Sequence, residues 1–230
     1  MELPTKTTPR SVGNPTIIIH GVPKVGKSTF GSKFPNPLFL ATEPGLGALE
    51  VYQVPVPSWA VMLEALGEIA KGQHAFKTIV IDTIDNAQKM CEEHMMKKYK
   101  VEHPADLPYG KGFAAVNNEL MRVLTKLAQM PYGLVLISHT KAVEVKGRTA
   151  VYSRQVPALP EASRKAILGF VDVILYAEAE TVRDEKTGEP IFRRILRTKP
   201  SDGYEAGDRF GLLPESLPLD YAEFAKHLKG

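Results

Sequence analysis

The chain has 230 residues, with 29 Lys and Arg against 26 Asp and Glu, a formal net charge of +3 and a hydrophobic fraction of 43%. This suits one α/β domain with its own core, and it excludes global disorder and a collagen-like repeat. One cysteine, Cys91, excludes an internal disulfide and a cysteine-built zinc site, and the longest apolar runs (134–137 and 171–177) are too short to cross a bilayer.

Residues 1–14 are polar and rich in Pro and Thr and read as a flexible tail, with 15–230 as a single domain. The tail carries no apolar signal region, so a reducing cytoplasm is the expected compartment. From residue 16, strand-like and helix-like stretches alternate, which predicts a mostly parallel sheet with helical crossovers. Thr16–His20 is the first strand, followed by a glycine-rich loop and a helix near Lys27–Lys33. Pro37–Ala41 is a short buried strand, Trp59–Lys71 has helical spacing, and Thr78–Ile81 is a third strand. Asp85–Lys100 reads as a polar helix, with Asp85 as its cap and Cys91 and the nearby methionines on its packed face. Phe113, Val116, Leu120, Val123, Leu124 and Leu127 mark an amphipathic helix stopped by Pro131. Gly133–Ser138 and Val171–Ala177 are further strands. Glu178–Val182 and Ile191–Thr198 flank a hairpin-type turn, which predicts antiparallel strands appended to the parallel core. Asp220 is positioned to cap a terminal helix over Tyr221–Leu228.

Gly21-Val22-Pro23-Lys24-Val25-Gly26-Lys27-Ser28 fits G-x-x-x-x-G-K-[ST] at every position, with a β-branched strand before it and a helix after it. The glycines let backbone N–H groups turn inward around a phosphate without a Cβ clash. Lys27 can reach the β- and γ-phosphates of ATP, and the Ser28 hydroxyl can ligate Mg²⁺. Thr29 continues the phosphate-binding run. Lys24 is either a solvated lysine or an additional phosphate or subunit contact.

Carboxylates are expected beside this loop. The strand Thr78-Ile-Val-Ile-Asp82 ends in an aspartate, which would lie on the ligand-binding edge of a parallel sheet and hold Mg²⁺ there. Glu43 ends the second strand and could orient or deprotonate an attacking water; the alternative is a surface glutamate. Gly45-Leu-Gly47 lacks the third glycine of a dinucleotide fingerprint. The fourth strand ends Ile137-Ser138-His139-Thr140-Lys141, where His139 is either a γ-phosphate sensor or a structural histidine. No metal-ligand spacing is present among the histidines.

The succession of phosphate loop, strand ending in Glu43, strand ending in Asp82 and strand ending Ser-His-Thr-Lys resembles the RecA-like ATPase core. It is most similar to the small phage and prophage P-loop ATPases associated with single-strand annealing and recombination. The run from Arg194 to Arg209, followed by Leu212-Leu213-Pro214, resembles that family's C-terminal signature. The resemblance covers residues 15–215 and implies a three-layer α/β fold around a mostly parallel sheet with an antiparallel C-terminal extension. It implies that Glu43 activates water and that His139 stands where a polar sensor, often glutamine, is usual. It further implies that Arg197 and Lys199 reach a neighbouring subunit's nucleotide, so that a ring or filament of identical chains completes each site. A solvated strand face is the other reading of those two residues.

Residues 141–165 carry six basic residues against Glu144 and Glu161, a local excess larger than that of the whole chain. The stretch is expected to be a mobile basic loop over 141–160 followed by a short helix. Lys141, Lys146, Arg148 and Arg154, with Tyr152 interleaved, are the candidates for contacting single-stranded DNA; a solvated loop or an oligomer contact is the alternative. The expected function is an Mg²⁺-dependent ATPase acting on single-stranded DNA in phage-type recombination or annealing, in the host cytoplasm, with a single-strand-binding protein as a further candidate partner. A P-loop small-molecule kinase and a weakly catalytic accessory module, such as a helicase loader or packaging factor, are the rivals.

Overall fold

The computed structural model describes residues 12–147, 151–183 and 188–228. In chain order the strands are β1 (Thr16–Gly21), β2 (Pro37–Ala41), β3 (Tyr52–Pro55), β4 (Thr78–Asp82), β5 (Gly133–Lys146), β6 (Val151–Pro157), β7 (Val173–Arg183), β8 (Pro190–Arg197), β9 (Gly207–Asp208) and β10 (Ser216–Pro218). The helices are α1 (Lys27–Gly31), α2 (Trp59–Ala70), α3 (Ile84–Tyr99), α4 (Lys111–Ala128), α5 (Glu161–Phe170) and α6 (Tyr221–Leu228).

The strands form one sheet in the order β10-β8-β7-β1-β5-β4-β2-β3. From β7 to β3 every pairing is parallel. β8 joins β7 antiparallel and β10 joins β8 antiparallel, which is the appended extension. The strand that leads into the glycine-rich loop is separated from the strand ending in Asp82 by β5 alone. This is a layered α/β fold around a mostly parallel sheet with an antiparallel extension, as expected.

Period-two alternation builds the layers. Ile18, Leu40, Ile79, Ile81, Leu134 and Leu136 face one side, where they pack with Trp59, Met62, Cys91, Leu120, Leu124 and Ile167 from α2 to α5. Ile17, Ile19, Phe39, Val80, Val135 and Ile137 face the other, against Phe30 of α1 and Phe224 of α6. Strands buried on both faces read as unbroken apolar runs, which is why these segments were legible. Asp220 caps α6, accepting the Glu223 N–H at 3.0 Å.

Two expectations are corrected. Residues 141–146 and 151–157 are strand, not loop. β5 continues to Lys146 and turns back as β6, with Thr140 opposite Pro157 and Lys146 opposite Val151. β5 pairs with β4 only as far as Ile137 and with β1 only as far as His139, so this hairpin leaves the sheet at its C-terminal edge. The short helix that follows is present as α5. The second correction is Asp85, which does not cap α3; Thr83 occupies the cap position and Asp85 is buried with partners on another strand. β3, an edge strand mostly exposed to solvent, is an addition to the expected elements. No helix among the described residues is long and apolar enough to cross a membrane.

Candidate active site

Sheet register gathers the site. Gly21 at the end of β1 lies opposite His139 of β5, Ile137 lies opposite Asp82 of β4, and Asp82 lies opposite Ala41, two residues before Glu43. Three strand ends and the point where β5 leaves the parallel sheet therefore deliver the glycine-rich loop, Asp82, Glu43 and His139 to one edge of a parallel sheet, where ligands bind in open α/β folds.

The loop is shaped by close packing. A Cβ on Gly21 would collide with the carbonyl oxygen of Ala177 on β7, so only glycine lets the chain turn there. Gly26 has φ +114, a conformation that L side chains rarely adopt. Val25 is buried and anchors the loop, while Val22, Pro23, Lys24 and Thr29 are exposed at its rim. The Lys27 ammonium is folded back, donating to the carbonyls of Gly21 and Val22 at 2.9 Å each. Burial lowers its pKa, and the carboxylates of Asp82, Asp85 and Glu43 oppose that shift. A polyphosphate would supply the anionic acceptors that these two carbonyls only partly replace.

The Ser28 hydroxyl donates to Asp82 Oδ2 at 2.7 Å. Burial raises the Asp82 carboxyl above the usual carboxylate range, with the Ser28 bond opposing it. One hydroxyl and one buried carboxylate form a hard-oxygen pair that suits Mg²⁺, and a cation there would relieve the cost of burying Asp82. The described residues contain no cluster of three or more His, Cys, Asp or Glu able to hold a metal, so the ion would complete its shell with nucleotide oxygens and water.

Glu43 and His139 face each other, with Glu43 Oε1 at 3.8 Å from His139 Nε2. Asn86 on α3 donates to Glu43 Oε2 at 2.7 Å. Asp85 holds the end of the central strand, accepting from the Ser138 hydroxyl at 2.5 Å and from the His139 N–H at 2.7 Å. The Asp85 bond to the His139 ring raises that histidine's pKa above its ordinary value, and burial opposes it. Thr42 ties β2 to β4 by accepting the Thr83 N–H at 2.7 Å and donating to the Thr83 carbonyl at 2.8 Å. Asp85, Asn86 and His20 are site residues that the sequence reading did not assign. His20, next to the loop, is fully buried between Thr140 and the Glu205 carbonyl.

The structure thus brings Lys27, Ser28, Asp82, Glu43 and His139 together. It places Arg197 and Lys199 apart from them. Arg197 is ion-paired within its own chain to Glu178 at 2.6 Å and Glu180 at 3.2 Å, and Lys199 lies 3.7 Å from Asp208. Of the basic candidates, Lys141 donates to the Leu159 carbonyl at 2.8 Å. Arg154 stacks 5.5 Å from the Tyr152 ring centroid and approaches Asp202 at 3.5 Å. Lys146 is exposed near the hairpin tip. Arg148 lies outside the described residues.

A family model described as an AAA domain matches residues 13–210. A curated relative, the SPbeta prophage-derived uncharacterized protein YorG of Bacillus subtilis (strain 168), is 24% identical over 216 residues, which cover 90% of this chain. The match spans 63% of that relative's length. Among solved structures, the flagellar accessory protein FlaH from Methanocaldococcus jannaschii superimposes with a TM-score of 0.45 at 12% identity, covering 89% of this chain and 84% of that one.

Proposed function

The chain belongs to the AAA domain family, as a P-loop nucleotide-binding ATPase domain, and on that premise we propose that it hydrolyses ATP to control its hold on single-stranded DNA in phage-type recombination or annealing. The observation that carries this reading is that β5 joins His139, at the nucleotide edge, to the basic hairpin without interruption.

In this mechanism the loop N–H groups and Lys27 bind the β- and γ-phosphates, the ammonium leaving the Gly21 and Val22 carbonyls as it does so. Ser28 and Asp82 would hold Mg²⁺, which when bound neutralises charge on the phosphate oxygens. Glu43 orients a water for in-line attack and accepts its proton, with Asn86 fixing the carboxylate. His139 donates from Nδ1 to Asp85, and its raised pKa favours the doubly protonated ring, whose Nε2–H donates to the γ-phosphate. Lys141, Lys146, Arg148 and Arg154 contact the DNA backbone and Tyr152 stacks on a base. Arg197 and Lys199 exchange their intrachain carboxylates for a neighbour's nucleotide when identical chains assemble. A single-strand-binding protein is a further partner, and the host cytoplasm is the setting. The prophage origin of the YorG relative supports the phage context.

The test is steady-state ATPase activity with and without single-stranded DNA. Stimulation by DNA, lost in a Lys27→Ala variant, is the expected result. A flat response together with phosphorylation of a nucleoside would replace this reading with a kinase.

A further inference from the structure

The basic hairpin and α5 enclose a groove of about 560 Å³, with Lys141, Lys146 and Arg154 on one side and Arg164 and Lys165 on the other. Most of these cations are engaged. Lys165 pairs with Glu161 at 2.6 Å, Arg154 with Asp202, and Lys141 with the Leu159 carbonyl.

Arg164 is different. It is only 9% exposed, yet its Nε has no hydrogen-bond partner among the described residues. The facing group is Glu205 Oε2 at 3.8 Å, beyond hydrogen-bond reach and itself without a partner. Burial raises the Glu205 carboxyl above its ordinary value, and Arg164 and Arg154 only oppose that shift. A buried guanidinium nitrogen and a buried oxygen of a half-buried carboxylate that attract without bonding are an incomplete pair, and each would gain from a better partner or from water.

Glu205 is held by its backbone. Its N–H donates to the Gln155 carbonyl of β6 at 2.9 Å, and its own carbonyl accepts the ring N–H of His20 at 2.7 Å. His20 is the residue before Gly21, so one hydrogen bond separates the phosphate loop from the segment carrying the carboxylate.

We infer that Arg164 is a phosphate-binding residue of the single-strand site and that Glu205 is its built-in competitor, a carboxylate standing where a backbone phosphate belongs. The inference rests on the single-strand binding proposed above. A phosphodiester can offer the Arg164 guanidinium two oxygens at bonding distance, which Glu205 does not. Strand entry requires the Glu205 side chain to swing out.

The experiment is an anisotropy titration of a labelled oligo-dT strand, without nucleotide and at one fixed low ionic strength. It compares wild type, Glu205→Gln, Arg164→Gln and the double variant, each checked for a cooperative thermal melt. Glu205→Gln keeps the shape and removes the competing charge, so it should bind roughly fivefold tighter than wild type. Arg164→Gln should bind weaker than wild type, and the double variant should bind like Arg164→Gln. A Glu205→Gln affinity no higher than that of a binding wild type overturns the inference while leaving the single-strand reading intact. So does a double variant that regains wild-type affinity, since the pair would then be structural only. Should Arg164→Gln not fold, Glu205→Gln and the double variant still decide. If neither wild type nor Glu205→Gln binds the strand, the inference and the reading beneath it both fall.

Discussion

Asp85 Oδ2 accepts two hydrogen bonds from His139, the backbone N–H at 2.7 Å and ring Nδ1 at 3.0 Å. A carboxylate only accepts, so Nδ1 carries a proton and Nε2 is the atom left to face Glu43. The ring bond to Asp85 is the main reason the His139 pKa is raised. An Asp85→Asn change should therefore lower it, as read by NMR titration of the ring. A folded-state pKa above the unfolded value gives stability that is complete below the unfolded pKa and is lost as pH rises through the folded one. The melting-temperature advantage of wild type over His139→Gln should accordingly shrink on the alkaline side of that window. An advantage that stays constant across it would remove His139 from the linkage.

Glu43 is held at one oxygen by Asn86, which leaves Oε1 free to face the site. Glu43→Gln should reduce ATP turnover by about 100-fold or more, in the range of lost general-base catalysis, with ATP affinity little changed. Asn86→Ala should change kcat far more than KM, because it alters the aim of the carboxylate and not the phosphate contacts. Turnover retained in Glu43→Gln, with intact nucleotide binding, would dismiss Glu43 as the water-activating group.

Burial pushes the His20 pKa down to about 4. The folded protein thus keeps this ring neutral while the unfolded chain protonates near 6.5. The unfolded state then binds more protons between those values, so stability is lost as pH falls through that window, by roughly 3 kcal/mol if this histidine acts alone. Denaturant unfolding of wild type and His20→Gln at pH 7 and pH 5 measures the difference. Equal losses in the two proteins would assign the acid sensitivity elsewhere.

Cys91 is fully buried on α3, and burial pushes its thiol up to about 12. At neutral pH it has almost no thiolate and no access to reagent. A chromogenic disulfide should label it only as fast as the chain unfolds, with the rate rising in denaturant. Prompt stoichiometric labelling of the native protein would show that the α3 face opens.

The nucleotide edge was readable because its residues are tied to local pattern: a glycine-spaced loop after a β-branched strand, and an aspartate closing the run Thr78–Ile81. Asp85 was misread because an acidic residue in a first helical turn ordinarily serves the helix end. Its true partners, Ser138 and His139, lie more than fifty residues away, and no local signal announces them. The hairpin did leave a trace in the alternation of Val143 and Val145 with Glu144 and Lys146. With one face only half-buried by two valines and the other charged, so short a rhythm looks like a loop. β3 was hidden for a related reason: Tyr52 and Gln53 point into solvent and Pro55 ends a four-residue edge strand. The incomplete pair of Arg164 and Glu205 is a property of tertiary placement alone.

β5 runs for 14 residues, from the central core through His139 to the outer end of the hairpin. A strand this long has no joint between His139 and the basic residues of the hairpin. If nucleotide binding shifts the backbone at His139, as the proposed function requires, no swivel absorbs the shift and it tilts the whole arm. The arm then behaves as a lever with its fulcrum at the sheet edge, and a sub-ångström adjustment at the short end becomes a larger excursion at the tip. Such a device depends on backbone stiffness more than on the identity of any one side chain along it.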